Sequence, residues 1–202
     1  MSASPYFTTF MEGRKAEILD AALMVFGKYG YSDGTMRQIA TTLGVTEPAL
    51  YRHYAGKEAL FEDLVAQAGD HIMNFAREKV SGISPDNLRG SLMQLIEVRR
   101  SNQAIGGPVI RVLLVAAPHS GMFVRTFRAH LAMPMAELLA EVVPQLDAAL
   151  GLTFTPEQTT GRVRAFMSLF VGHFMTSMVL GEPANDTSAV DAMLAIMSWK
   201  HV

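Results

Sequence analysis

The chain contains no cysteine among its 202 residues, and only 18% of them are charged. Without thiols it forms neither disulfides nor thiolate metal sites, a composition that fits a cytosolic protein. Its net charge of −2 argues against a broadly basic nucleic-acid-binding protein. Residues 1–60 hold six Lys and Arg against six Asp and Glu. Any affinity for a polyanion would therefore have to come from a local surface.

Long apolar runs are also missing, although 50% of the residues are hydrophobic. Arg, His, Glu or Asp interrupts every long stretch, and none reaches the roughly 18 residues of a membrane helix. The first residues, MSASPYFTTFMEGRK, have neither a basic start nor an apolar core, so we predict no signal peptide. The length suits a small domain plus a larger one with a sizeable core.

Motifs of catalysis are absent from the sequence. It has no G-x-S-x-G, no H-E-x-x-H and no phosphate-binding glycine loop. His119, His130 and His173 lack a helical metal-ligand spacing with carboxylates, and no E-x-x-H pair occurs, which argues against a di-iron bundle. We therefore predict a protein that is not an enzyme, with no catalytic residue, no metal ligand and no cofactor.

Residues 34–61, GTMRQIATTLGVTEPALYRHYAGKEALF, form the most informative segment. Thr35 and Gln38 match a T-x-x-Q capping box, which predicts a short helix from about residue 36. Gly44 predicts the end of that helix, because glycine adopts the left-handed conformation without a Cβ penalty. Thr46 then predicts the N-cap of a second short helix.

Ala40, Gly44 and Leu50 have the spacing of a helix-turn-helix, whose second helix can enter the DNA major groove. The alternative is an ordinary helical hairpin of an all-α core. The outward positions favour DNA, because they are rich in groups that donate to phosphates or bases. These candidate DNA contacts are Arg37, Thr46, Glu47, Ala49, Tyr51, Arg52, His53 and Lys57.

The segments ILDAALMVFGKYGY and LGVTEPALYRHYAGKEALF resemble the tetracycline-repressor-like (TetR) transcriptional regulators over about the first third of the chain. The resemblance implies that Tyr51 and Lys57 contact phosphates and that the other candidate positions contact bases or backbone. The chain departs from the family in two ways. Met1–Met11 has no Lys or Arg where many members carry a basic arm. Glu47 is an acid on the recognition helix, which accepts from a cytosine amino group or only stabilises the helix start.

The predicted fold is all-α, with about nine helices. We expect a flexible N-terminal arm over 1–11, a helix-turn-helix DNA-binding domain over 12–57, and a ligand-binding and dimerisation domain over 58–202. Beyond the helix-turn-helix, the apolar periodicity and the Gly and Pro breaks predict helices over 12–29, 57–80, 84–103, 109–117, 121–150, 155–180 and 186–200. We expect Thr155 and Gln158 to form a second capping box, and Pro134 and Pro144 to kink their helix.

The last two long helices carry a candidate dimer surface. Small residues recur on the first of them at Ala165, Ser168, Gly172 and Thr176, which lets helices approach closely. The apolar residues expected beside them are Met175, Met178, Val179, Met193, Leu194, Met197 and Trp199. The alternative is that this stripe packs inside one subunit. A homodimer is favoured because helix-turn-helix proteins bind palindromic half-sites in pairs.

The middle of the chain contains candidates for contacts to a small hydrophobic or aromatic effector. They are Leu95, Ile96, Arg99, Val112, Phe123, Phe127, Phe166, Phe170 and His173. Apolar pockets with one or two polar groups suit such molecules, but the same residues suit the core of any helical bundle. For His173 the alternative is a buried, hydrogen-bonded histidine.

The sequence thus predicts a ligand-responsive transcription regulator, a repressor that binds a palindromic operator as a dimer. The alternative is a helical adaptor or DNA-organising protein that uses the same fold without an inducer.

Overall fold

The computed structural model describes residues 5–101, 112, 121–179 and 186–198. These residues form nine α-helical segments and no strand, so the predicted all-α class is confirmed for the described part of the chain. The segments are α1 Arg14–Asp33, α2 Met36–Leu43, α3 Glu47–Tyr51, α4 Lys57–Ser81, α5 Leu88–Ser101, α6 Gly121–Phe127, α7 Met133–Ala149, α8 Pro156–Val179 and α9 Asp186–Ser198. The predicted helix over 109–117 lies outside the described residues.

The chain divides into two compact units. The first comprises the described residues of 1–73 and 102–132, and the second those of 74–101 and 133–202. The domain boundaries predicted from the sequence, after residues 11 and 57, stay a prediction.

The first unit is built around the apolar face of α1. Ile18, Leu19 and Phe26 are almost fully buried, and they pack with Phe61 of α4 in one cluster. The rings of Phe26 and Phe61 meet edge to face, with centroids 5.2 Å apart. Burying such a side chain stabilises a fold by roughly 1.5–3 kcal/mol. Together these contacts hold the helix-turn-helix against a rigid support.

The turn that leads into α2 depends on two glycines. Gly30 leaves the helical conformation, with φ 76° and ψ 170°, so α1 breaks where the sequence predicted its end. At Gly34 a Cβ would lie 2.7 Å from the ring of Phe26 and 2.9 Å from the carbonyl oxygen of Gly30. A side chain at position 34 would therefore push the start of α2 away from α1.

The segment expected to be a flexible arm is packed in its described part, and this corrects the prediction. Tyr6 and Phe7 are buried, and their backbone N–H groups donate to Asp20 Oδ1 at 2.8 and 2.7 Å. Thr8 donates to Asp20 Oδ2 from its N–H at 3.1 Å and from its hydroxyl at 2.7 Å. One carboxylate of α1 therefore accepts the free N–H groups of a 3₁₀ turn, Phe7–Thr9.

The same segment also contacts α4. Phe10 stacks on His71 with ring centroids 3.7 Å apart and an angle of 8° between the rings. Tyr6 meets His71 edge to face at 5.6 Å. Burial lowers the pKa of His71, because the charged imidazolium loses water there. The aromatic residues of the N-terminus thus serve as core, a role that the sequence reasoning did not assign to them.

The second unit has two smaller apolar clusters. Leu139, Val143, Leu146 and Val163 form one, and Leu92, Val190 and Met193 form the other. Phe166 packs against both. Because Met193 is only 1% exposed inside this unit, its expected place on a dimer surface is wrong.

A buried ion pair also holds the second unit together. The guanidinium of Arg162 donates to both carboxylate oxygens of Asp147, at 2.6 and 2.8 Å. It also lies 3.6 Å over the ring of Phe154. A bidentate pair with these extra contacts meets the hydrogen-bonding needs of two buried charges.

The second capping box is confirmed. Thr155 N–H donates to Gln158 Oε1 at 2.8 Å, and Gln158 N–H donates to Thr155 Oγ1 at 3.2 Å, at the start of α8. The helix predicted over 121–150 is interrupted before Pro134. Pro134 is the second residue of α7, where its missing N–H costs little, and the preceding residues Arg128–Ala132 form a π-helical turn. Pro144 lies inside α7.

Candidate nucleic-acid interface

The first helix of the motif begins with the predicted capping box. Thr35 N–H donates to Gln38 Oε1 at 2.8 Å, and Gln38 N–H donates to Thr35 Oγ1 at 3.2 Å. Two N–H groups that the helix cannot satisfy internally are thereby paired. The start of α2, and with it the direction of its outer face, is set by local chemistry.

The turn between α2 and α3 also has the predicted geometry. Gly44 is left-handed, with φ 73° and ψ 32°. Val45 N–H donates to Ala40 O at 2.9 Å, and Gly44 N–H donates to Thr41 O at 3.2 Å, which closes the helix end. Ala40 and Leu50 are 2% and 1% exposed, so both point into the core as the helix-turn-helix spacing requires. The motif is confirmed in this chain.

Thr46 occupies the N-cap of α3 as predicted, although its hydroxyl makes no cap hydrogen bond. Pro48 lies in the first turn and has no N–H to donate. The N–H of Ala49 donates to the backbone carbonyl of Thr46 at 3.0 Å. The exposed hydroxyl of Thr46 is therefore left for another partner such as a phosphate oxygen.

The predicted contact residues lie around one motif but differ in exposure. Arg37, Thr46, Tyr51, Arg52 and His53 are exposed, whereas Glu47, Ala49 and Lys57 are half-buried. Tyr51 is notable, because this large aromatic residue is 48% exposed. Exposure of this kind at the end of a recognition helix suits a hydroxyl that contacts a DNA backbone.

The cations of the first 60 residues fall into two groups. Four have protein partners: Arg14 pairs with Glu17, Lys15 with Asp63, Lys28 with the ring of Tyr29, and Lys57 with carbonyls of α1. The side chains of Arg37 and Arg52 have none among the described residues. Both belong to the helix-turn-helix, one on α2 and one directly after α3. The free positive charge of this region is therefore concentrated on the predicted DNA face.

Lys57 has a structural role that the sequence did not reveal. Its Nζ donates to Tyr31 O at 2.8 Å and to Ser32 O at 3.0 Å, and it lies 4.6 Å from the centroid of the Tyr31 ring. The ammonium thus holds the last residues of α1 to the start of α4. Since an ammonium has three N–H donors, one remains for a phosphate, and that contact stays a prediction.

The sequence analysis did not identify the role of Tyr54, which follows the helix-turn-helix. Tyr54 is 9% exposed, and its hydroxyl donates to Asp63 Oδ2 at 2.6 Å. Burial raises the pKa of Tyr54, and the hydrogen bond to Asp63 and the charge of that carboxylate raise it further. Nine positions separate the two residues, and no spacing rule of helices or capping motifs predicts such a pair.

The candidate effector contacts are divided between the two units. Val112, Phe123 and Phe127 belong to the first, where the rings of Phe123 and Phe127 stack at 5.5 Å. Phe166 and His173 belong to the second, where His173 Nε2 lies 2.9 Å from Asp186 Oδ1. The side chains of Leu95, Ile96, Arg99 and Phe170 lie outside the described part. Each described member contributes to a packed core or to a buried polar pair.

Two further observations concern the described residues only. They hold no group of three His, Asp or Glu side chains with the geometry of a metal site. None of their helices is long and apolar enough to cross a membrane.

Comparison with known proteins points to the same motif. A family model described as bacterial regulatory proteins of the tetR family matches residues 18–64. A helix-turn-helix-type transcriptional repressor from Mycobacterium tuberculosis is 32% identical over 79 residues, which are 39% of this chain and 42% of that repressor. The chain thus matches less than half the length of this curated relative.

Solved structures extend the likeness beyond the motif at the level of the fold. A TetR-family member from Streptomyces coelicolor A3 has a TM-score of 0.72 at 19% identity, over 92% of this chain and 98% of that one. The regulator FadR from Bacillus subtilis, in complex with stearoyl-CoA, has a TM-score of 0.72 at 12% identity, over 93% and 100%. The helix-turn-helix geometry and these matches agree. Residues 18–64, which contain the helix-turn-helix, thus resemble the tetR family of bacterial regulatory proteins in sequence, and the described chain resembles solved members in fold.

Proposed function

We propose that this protein is a ligand-responsive transcription regulator, a repressor that binds palindromic operator DNA as a homodimer in the cytoplasm. A small hydrophobic effector releases it from the operator. The observation that carries the proposal is the outer face of the helix-turn-helix. There Arg37 and Arg52 have no partner within the described part of the chain, and the same motif carries the exposed residues Thr46 and Tyr51.

The chemistry of this face divides into reading and positioning. An arginine can grip the O6 and N7 atoms of a guanine with two hydrogen bonds, or bind a phosphate. Hydroxyl donors such as those of Thr46 and Tyr51 suit phosphates, which fix the register but carry no sequence information. Glu47 lies in the first turn of α3, where the helix dipole favours an acid, and contact with a cytosine amino group remains its alternative role.

The homodimer proposal rests on α8. Ala165, Ser168 and Gly172 are exposed on this helix, at a spacing that brings small residues to one side. A second copy of the helix approaches such a face closely. The side chains of Met175, Thr176, Met178, Val179, Met197 and Trp199 lie outside the described part. A two-fold dimer places two recognition helices in successive major grooves, about 34–36 Å apart.

The effector proposal draws on the family. The Bacillus subtilis relative was solved with stearoyl-CoA, and at 12% identity it shares the fold without showing the same ligand. Long-chain acyl thioesters and aromatic compounds are therefore the first probes to test. A typical coupling of 1–3 kcal/mol would make operator binding roughly 5–150-fold weaker with effector bound. By reciprocity, operator DNA must weaken effector binding by the same factor.

The test begins with selection of binding sites from genomic DNA by the purified protein. We expect a palindrome bound by a homodimer, which gel-shift titration and analytical ultracentrifugation would establish. Arg37→Ala and Arg52→Ala should each weaken the selected site by roughly 1–3 kcal/mol and relax the preference at one base position, if the arginine grips a guanine. Arg14→Ala removes the same charge from an arginine already paired with Glu17, and it should bind like the wild type.

Three results would contradict the proposal at different points. Failure to bind any double-stranded sequence above background at low salt would refute the proposed DNA recognition. Binding of a monomer to the operator would refute the proposed dimer. If probes that bind tightly leave operator affinity unchanged, the DNA-organising alternative without an inducer becomes the better account.

A further inference from the structure

Asp63 of α4 is a meeting point of three structural elements. Its Oδ2 accepts the hydroxyl of Tyr54, which follows the recognition helix α3, at 2.6 Å. Its Oδ1 lies 3.0 Å from Nζ of Lys15 in the first turn of α1. The same oxygen accepts from Gln67 Nε2, one turn further along α4, at 3.2 Å. The carboxylate therefore joins the end of the DNA-reading helix to both supporting helices.

These contacts are unusual in their placement, because α3 itself is short. It spans Glu47–Tyr51, and its only fully buried side chain is Leu50. A single apolar anchor fixes a point on a helix but leaves rotation about that point open. Tyr54 supplies a second anchor, since its ring is buried in the core of the first unit and its hydroxyl is bound by Asp63. Two anchors on one short segment fix its orientation.

The surroundings of Asp63 favour an ionised carboxylate that binds both Tyr54 and Lys15. The side chain of Asp63 is 21% exposed and that of Lys15 is 47% exposed, so the ammonium approaches from the solvent side while the tyrosine approaches from the core. Gln67 steadies the carboxylate from its own helix. An asparagine at position 63 would keep the shape, but it would face Lys15 without charge and present an NH₂ group to donors.

We infer that Asp63 is a positioning residue for operator recognition, acting through Tyr54 to hold α3 in its DNA-reading orientation. This inference rests on the proposed DNA-binding function. Asp63 touches no base, so its loss should lower the fraction of molecules whose recognition helix is correctly oriented. Apparent affinity falls in proportion to that fraction. Specific binding should suffer, whereas non-specific binding, which depends on phosphate charge, should not.

The decisive variant is Tyr54→Phe, which keeps the buried ring and removes only the hydroxyl. We expect selected-operator affinity to fall roughly 3- to 10-fold, as the competent fraction drops to about a third or a tenth. Affinity for random DNA and the slope of log K against log salt should stay at wild-type values, because no phosphate contact is lost. Asp63→Asn should act in the same way, and the double variant should be no weaker than the weaker single variant.

A matched control and a second measurement make the result unambiguous. Asp70→Asn removes a carboxylate from the same helix, one that pairs with His130 instead, so it reproduces the charge change without touching Tyr54. Amide hydrogen exchange over residues 46–54, read by mass spectrometry on the free protein, should be faster in Tyr54→Phe and Asp63→Asn than in Asp70→Asn. The N–H groups of His53 and Tyr54, both bonded to Leu50 O, are the most direct reporters.

The two measurements separate failure of the inference from failure of the proposed function. If the wild type binds no operator, the proposed function is wrong, and exchange over 46–54 alone decides whether Asp63 orders this segment. If the wild type binds but Tyr54→Phe keeps full operator affinity, the positioning role is wrong. Unfolding of Asp63→Asn would not obscure this outcome, because Tyr54→Phe, measured well below its melting temperature, decides the positioning role without it.

Discussion

Replacing Lys57 by methionine tests whether this residue serves the fold, the DNA or both. The substitution keeps the aliphatic stem and removes the ammonium, which donates to Tyr31 O at 2.8 Å and Ser32 O at 3.0 Å. A hydrogen bond from a charged group is worth roughly 1.5–3 kcal/mol where water is excluded. Ser32 is exposed, so water can replace the lost hydrogen bond at its carbonyl, and that bond contributes less to stability. Adding a small cation–π loss at Tyr31, we expect a net decrease of about 1–2 kcal/mol in the free energy of unfolding.

Urea denaturation followed by circular dichroism measures that decrease, and salt-dependent gel shifts measure the DNA part. If the third ammonium proton also contacts a phosphate, the salt slope should fall by about one unit per half-site. Lys28→Met is the matched control, because Lys28 only lies over the exposed ring of Tyr29. A variant with wild-type stability would refute the structural role assigned to Lys57. A lower stability with an unchanged salt slope would show that Lys57 stabilises the fold but contacts no phosphate.

Two further substitutions test the support of the motif. Asp20→Asn should lower the free energy of unfolding by about 1–2 kcal/mol and speed protease cleavage before residue 14, because one carboxylate accepts four hydrogen bonds from the N-terminal turn. Asp33→Asn serves as its control, and equal cleavage of the two variants would count against the packed N-terminus. Gly34→Ala should cost roughly 1–3 kcal/mol in thermal unfolding, since its Cβ would lie 2.7 Å from the ring of Phe26. Gly56→Ala meets nothing within 4 Å, so a loss as large in that variant would contradict the steric explanation.

The features predicted correctly from the sequence are those governed by neighbouring residues. The capping box of Thr35 and Gln38 links positions three apart, and Gly44 supplies the left-handed conformation that the end of α2 requires. The helix-turn-helix follows from such short-range rules. Thr46 shows their limit, because Pro48 removes one of the N–H groups that an N-cap hydroxyl can bind, and the cap forms through the backbone alone.

The features that were missed depend on side chains brought together by the fold. Lys57 and Tyr31 are 26 positions apart, and the bond between Tyr54 and Asp63 requires α3 and α4 to pack first. Asp20 binds the N-terminal turn, whose residues lie 12 to 14 positions before it. Single-residue propensities carry no information about these pairings. Consequently the sequence predicted the helix-turn-helix correctly but not the residues that hold it in place.

The distribution of charge supports the proposed dimer, because one protomer offers few unpaired cations for tight binding to DNA. Arg37 and Arg52 are the two cations of the first 60 residues that have no protein partner among the described ones, and the described part of the N-terminus is packed and carries no Lys or Arg before Arg14. If both arginines bind phosphates, one protomer releases two counterions, for a salt slope of about −2. Two protomers on one palindrome give about −4, with the second contact made at high effective concentration. A slope of log K against log salt near −2 on the selected operator would show that only one protomer contacts the DNA. A slope near −8 would show that cations other than these two arginines dominate the binding.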